Sequence, residues 1–293
     1  ENAPDDVATT RLLSLTGSEQ SFTFVGVKEP VVPSLLRGFS APVKLKSDLT
    51  AADRLFLLAH DSDSFNRWEA GQEIAAGLIM ELVDDIAAGR PLHLDDGFSA
   101  AMGKVIGDPD LDRAFKAEVL SLPSEATLGQ YRSPVDVDAI HQARKFVRHA
   151  LAVTHETALQ SIYNACQTTG GYAFTPQAVA DRRLKNVCLS YLMTQETPAV
   201  FTQSMAQFSN ADNMTDEIAA LSCMVNSDFS ETRDAVESFY AKWSHDDLVL
   251  DKWFSVQAAV SKPATQDLVR RLIQHPDFDW NMPNRVRSVV GPF

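Results

Sequence analysis

The 293-residue chain sets 26 lysines and arginines against 39 aspartates and glutamates, for a net charge of −13, with 45% hydrophobic residues. This composition suits one large or two ordinary packed domains and excludes a disordered chain; the acidity argues against nonspecific nucleic-acid binding or an anionic membrane surface as a partner. No run approaches the ~20 apolar residues of a membrane-spanning helix, and Cys166, Cys188 and Cys223 are too few and too widely spaced for a disulfide framework or zinc cluster, which leaves buried free thiols in a reducing compartment as the expectation.

The chain begins at Glu1 with no basic-then-apolar leader, so either the start has been processed or the chain is a piece of something longer. Residues 1–10 are polar. From Arg11 the pattern is extended: Leu13 and Leu15 alternate with Ser14 and Thr16, Gly17-Ser18 supplies a turn, and Phe22, Phe24 and Val25 form a second β-rich run, which predicts a hairpin. A third extended stretch covers Val31 to Leu36 and continues through Gly38 to Leu45, where Pro33 and Pro42 confine it to a sheet edge or a strand start. Three strands are a poor independent sheet, so a neighbouring segment before residue 1 is expected.

At Ser47 the pattern turns helical. Asp48 or Thr50 can cap a helix carrying Leu55, Phe56 and Leu58, with Thr50 and Asp53 at capping-box spacing. A second helix starts near Ser64, carries Trp68, Ile74, Leu78, Leu82 and Ile86, and ends at Gly89 before Pro91. Further helices are predicted over 98–106, 111–120, 137–163, 176–194 and 198–208, with Pro176 and Pro198 in first-turn positions. Loops fall at Thr168 to Gly171 and Pro123 to Pro134.

The clearest periodicity lies between Asn213 and Ala258. Ile218, Leu221 and Val225 share one helical face; Val236, Phe239, Tyr240 and Trp243 share a second; Leu250, Trp253, Phe254 and Gln257 share a third. Thr215, Ser230 and the pair Asp246-Asp247 are the expected starts of these three segments. A helix over 265–275 and a helix start at Pro283 follow. Helices of unequal length joined by short loops over about 240 residues predict an irregular α-solenoid, a mainly α fold preceded by a small incomplete sheet, and the closing helix needs a partner on its apolar face.

The motifs for chemistry are sparse. His155-Glu156-Thr157-Ala158-Leu159 has leucine where a His-Glu-x-x-His zinc site needs its second imidazole, so one ligand is left where two must share a helix face. There is no Gly-x-Ser-x-Gly elbow and no phosphate-binding glycine loop. Asp61, Asp63 and Glu69 lack the glycine and terminal glutamate of a calcium loop and read as capping carboxylates. Arg285 and Arg287 are two apart at a helix start, so they point to different sides and oppose the macrodipole; a surface salt bridge or a carboxylate held from elsewhere are the two readings.

Five blocks in one order carry a resemblance. They are Pro33 to Val43 (PSLLRGFSAPV), His60 to Gln72 (HDSDSFNRWEAGQ), Asn213 to Asp216 (NMTD) with Ala219-Ala220-Leu221, Asp251 to Phe254 (DKWF), and Asn284 to Ser288 (NRVRS). Together they resemble the C-terminal portion of the aminopeptidase N family, in the bacterial and plant-type branch of the zinc-dependent gluzincin aminopeptidases. The resemblance implies a fragment of a metalloaminopeptidase that releases N-terminal residues from peptides. Residues 1–46 would be the last strands of a small, immunoglobulin-like β-sandwich domain, and 47–293 a helical C-terminal domain whose last helices lie beyond Phe293. It implies that this part forms the helical cap of the substrate chamber and holds no catalytic residue, metal ligand or cofactor itself. The zinc would sit in the absent catalytic domain. Carried over by position, Arg287 would bind substrate, and the partners would be peptide substrate and the missing catalytic domain, with no nucleic acid and no membrane. The alternative is a free-standing α-solenoid that binds a protein or peptide through its concave face. Hydrolysis by the chain itself has no nucleophile or metal set to support it.

Overall fold

The computed structural model describes residues 10–43, 45–167 and 170–293. The chain divides into two compact units, Glu1–Pro33 and Ser34–Phe293. In the first, residues 10–33 contain no strand, and the predicted hairpin is replaced by extended chain with a bend at Gly17 to Glu19. There the Thr16 amide donates to the Gln20 side-chain oxygen at 3.0 Å. Leu12, Leu15 and Val25 lie 87%, 68% and 89% exposed, so the alternating pattern has no packed face to pin a strand register.

In the second unit all regular structure among the described residues is helical. After a 3₁₀ turn at Arg37–Phe39 come α1 (Ala51–His60), α2 (Ser64–Ala87), α3 (Asp96–Gly107), α4 (Arg113–Val119), α5 (Glu125–Leu128), α6 (Val137–Thr154) and α7 (Glu156–Ala165). They are followed by α8 (Pro176–Leu192), α9 (Pro198–Asn210), α10 (Met214–Val225), α11 (Thr232–Trp243), α12 (Asp247–Ala258), α13 (Thr265–Leu272) and α14 (Pro283–Val290). Local chemistry accounts for most starts. Thr50 and Asp53 form the expected capping box, Asp63 accepts from the Asn66 amide, and prolines occupy the first turns of α8, α9 and α14. Gly89, with φ of +65°, closes the turn after α2.

Three details differ from the sequence reading. The helix expected over 137–163 breaks at His155, whose backbone (φ −112°, ψ 20°) leaves the helical range where its Nε2 donates to the Ser99 carbonyl at 3.0 Å. That bond is available only because Gly103 makes room: a Cβ there would stand 2.8 Å from the imidazole. α10 is capped by Asn213, which accepts from the Asp216 amide at 2.9 Å, so Thr215 lies inside the helix. α11 starts after Glu231 with no side-chain cap, the Ser230 hydroxyl having turned to the Glu231 carboxylate.

Neighbours in sequence mostly pack in space: α1 on α2 and α3, α7 on α8, α9 on α10, and α12 on α13 and α14, with α2 reaching α6 and α4 reaching α8. Leu58, Ile79, Leu82, Phe98, Ile140, Leu151, Phe239 and Phe254 are essentially inaccessible to solvent. Each such side chain contributes roughly 1.5–3 kcal/mol of burial. One buried ion pair ties four helices. Lys185 meets Asp216 at 2.7 Å, both side chains about 5% exposed or less. Asn186 and Asn213 donate to the two Asp216 oxygens at 3.0 Å each. Gln207 donates to the Asp216 carbonyl and accepts from the Tyr163 hydroxyl, both at 3.0 Å. Every Asp216 lone-pair direction facing the interior thus has a donor, the condition under which a buried charge is tolerated.

Candidate functional site

Four of the five blocks are paired in the fold, and the third holds Asp216 of the buried ion pair with Lys185. Arg37 of the first donates to Asp61 of the second at 2.8 Å and to the Ser62 hydroxyl at 2.8 Å. The Gly38 amide donates to Asp63 at 2.8 Å, and Asn66 returns hydrogen bonds to the Ser34 hydroxyl and the Leu35 carbonyl. This network holds Leu36 and Phe39 at positive φ (53° and 54°), a conformation that non-glycine residues adopt only when their surroundings impose it. Asp61 and Asp63 are therefore an anchor and a helix cap. Glu69 is drawn above the usual carboxylate range by burial and by Glu73.

The fourth and fifth blocks meet at the start of α14. Arg285 is 1% exposed. Its Nε donates to Asp251 at 2.5 Å, one Nη donates to Asp247 at 3.1 Å, and the other donates to the Asp277 carbonyl. The guanidinium carbon stands 5.1 Å from the centre of the Phe254 ring. Asp247 and Asp251 are four apart on α12, so one helix face presents both carboxylates to one fork, a match of planar donor to paired acceptors. That i,i+4 acidic pair is the only trace of the site in the sequence, and its arginine lies more than thirty residues further on. Around it Tyr240, Trp253, Phe254, His275 and Phe278 pack in tilted and edge-to-face contacts at centroid separations of 4.9–5.8 Å. The Tyr240 hydroxyl donates to Asp277 at 2.5 Å, and that carboxylate holds the phenol proton, pushing its pKa up.

Arg287 sits on the opposite side of α14 and is exposed, with no ion pair among the described residues. The two arginines thus separate as their spacing predicts: Arg285 locks the helix down and Arg287 is left to solvent. The ion pair foreseen at the surface is, for Arg285, an interior one. Its two aspartates offset the unfavourable placement of a cation in a first turn.

His155 is bound to Ser99 and Glu156 begins α7, so neither faces a second ligand. Among the described residues no group of three or more His, Cys, Asp or Glu side chains could hold a metal ion, and a zinc ion has no fitting donor set there. Cys166 and Cys188 are buried, with burial pushing both thiols up, Cys188 to about 12; neither is a nucleophile at neutral pH. Among the described residues no helix is long and apolar enough to cross a membrane.

Comparison with known proteins gives one consistent picture. A family described as a domain of unknown function (DUF3458_C) with ARM repeats matches residues 51–293, and one described as a domain of unknown function (DUF3458) with an Ig-like fold matches residues 1–48. The chain is similar to aminopeptidase N of Caulobacter vibrioides (36% identical over 97% of this chain and 33% of that protein) and of Escherichia coli (37% over 96% and 32%). Aminopeptidase N of Haemophilus influenzae is 32% identical over 96% of this chain and 32% of that protein. The solved structure of Legionella pneumophila aminopeptidase A in complex with aspartic acid superposes with a TM-score of 0.77 at 31% identity, covering 89% of this chain and 31% of that one. The chain spans about a third of the length of the curated relatives it matches. A helical array matched from residue 51 to the last residue, with an Ig-like match ahead of it, makes this chain a member of the DUF3458_C family and the counterpart of the C-terminal part of aminopeptidase N.

Proposed function

We propose that this chain is the C-terminal part of a zinc metalloaminopeptidase that releases N-terminal residues from peptides, that it forms the helical cap of the substrate chamber, and that it is not catalytic alone. On this reading residues 1–46 are the closing strands of a small β-sandwich domain, residues 47–293 are the helical domain, and zinc and the catalytic groups lie in the rest of the enzyme. The observation that carries the reading is the 36–37% identity to two aminopeptidases N through almost the whole chain. Arg287 is the residue that meets the peptide. Its exposure on a helix pinned from behind by Arg285 supports this role, because a solvent-facing guanidinium on a held backbone is open to pair with a peptide carboxylate or carbonyl.

The test is reconstitution. Mixed with or fused to the zinc-bearing portion of an aminopeptidase N, the chain restores peptide hydrolysis, and R287A raises KM for tetrapeptides about tenfold, the loss of one charge-assisted contact of about 1.4 kcal/mol. An aminoacyl anilide, too short to reach the cap, keeps its KM. Hydrolysis by the isolated chain that survives chelation would overturn the reading, as would an R287A enzyme with unchanged KM for every substrate length.

A further inference from the structure

A cavity of about 260 Å³ lies where the ends of α10 and α12 meet the starts of α11 and α13. Its apolar lining comes from Val225, Val236, Val260, Ala264 and Leu268. Three cations from three elements also line it: Arg233 on α11, Lys262 in the connection after α12, and Arg271 on α13. No aspartate or glutamate is among the lining residues, in a chain whose acidic side chains outnumber its basic ones by 39 to 26. Arg233 and Lys262 have acidic partners outside the lining, Glu237 at 2.7 Å and Asp228 at 2.8 Å, and Lys262 also donates to the Ser227 carbonyl at 2.5 Å. Arg271 has no ion pair among the described residues. Helices α11 and α13 both begin here without a side-chain cap, so their positive ends add to the field of the cations.

We infer that this cavity is a binding site for a small aliphatic carboxylate. A bare anion such as phosphate would leave the valine and leucine surface wet, and a neutral hydrocarbon would leave Arg271 without a counter-charge; an apolar tail ending in one carboxylate uses both. A free amino acid fits less well, because its ammonium would enter a positive field with no lining carboxylate to receive it. At about 30 Å³ for each water displaced, the space holds roughly eight to nine water-sized groups, which is the size of hexanoate to octanoate. The inference does not depend on the peptidase reading, since binding is measured directly on the 293-residue chain.

Titration of the chain with sodium octanoate, followed by calorimetry or by NMR of the ligand, is expected to saturate with a Kd on the order of 1 mM, the affinity that roughly ten heavy atoms reach at ordinary ligand efficiency. Octanamide and inorganic phosphate bind at least tenfold more weakly, and leucine, with its ammonium, likewise. R271Q, an exposed substitution, weakens octanoate at least fivefold, while R270Q one residue away, outside the lining, leaves it unchanged. Octanamide binding as well as octanoate, a linear unsaturated titration to 10 mM, or an R271Q Kd equal to that of the parent would each overturn the assignment.

Discussion

Replacing Arg285 by methionine tests whether the buried guanidinium is what holds α14 in place. Methionine keeps most of the packing over Phe254 but removes donors to Asp251, Asp247 and the Asp277 carbonyl. Asp251, 16% exposed in its side chain, would be left as a nearly buried charge with its main partner gone. Removing one member of a fully buried pair costs about 3–5 kcal/mol. The upper end is out of reach, because Asp247 is 71% exposed and its share is that of a surface pair, about 0–1 kcal/mol. We expect R285M to lose about 3 kcal/mol, and R285K roughly 2, since an ammonium cannot span three acceptors that a planar fork reaches together. D247N should lose under 1. In the double variant R285M/D251L no charge is stranded, so much of the loss should return, a coupling of at least 1.5 kcal/mol. Urea titrations followed by far-UV circular dichroism and tryptophan fluorescence measure this, with Trp253 reporting from inside the cluster. Because α14 lies at one end of the array, the fluorescence transition should move to lower urea before the helix signal does. An R285M chain within 0.5 kcal/mol of the parent, or strict additivity in the double variant, would refute the reasoning.

Other perturbations have equally definite outcomes. Asp216→Asn leaves the Lys185 ammonium unpaired in the interior and should cost about 3–4 kcal/mol in the same titrations, whereas K185M/D216L should cost far less than the sum of its parts. Gly103→Ala is expected to destabilise by about 1–3 kcal/mol, because the new methyl group meets the His155 ring at 2.8 Å; mid-helix propensity alone predicts a gain of about 1 kcal/mol, so the sign of the change in melting temperature decides between them. Burial pushes Cys188 and Tyr191 each up to about 12. The unfolded chain therefore releases these protons first, from near the ordinary thiol and phenol values of about 8.5 and 10. Their contribution is complete below pH 8 and is lost as pH rises toward 12, by up to about 1.4 kcal/mol per pH unit for each group. Between pH 8 and pH 10.5 the parent should lose roughly 2 kcal/mol more than C188A, read from urea midpoints at each pH; parallel curves would show that the thiol does not titrate differently on unfolding.

Local chemistry was enough to place most helices. The Thr50–Asp53 box, the prolines at 176, 198 and 283, Asp246 accepting from the first amides of α12, and the apolar faces of α10 to α12 act within one or two turns, so neighbours in sequence decide them. What packing alone decided involves residues far apart in the chain. The break at His155 needs Ser99 and Gly103, some fifty residues earlier, and no window around residue 155 contains them. The Asn213 and Glu231 starts displaced Thr215 and Ser230 because those residues lie within or beside turns set by the packed helices. The N-terminal alternation reads as strand, in keeping with the Ig-like match over residues 1–48, but period two creates only the potential for a sheet; pairing needs a partner edge, and residues 10–33 do not supply one to each other. The division of labour between Arg285 and Arg287 lay half in view: their spacing put them on opposite sides of α14. Which of them is buried depended on Asp247 and Asp251 reaching across from α12, and a charge is drawn inside only where tertiary structure assembles its counter-charges.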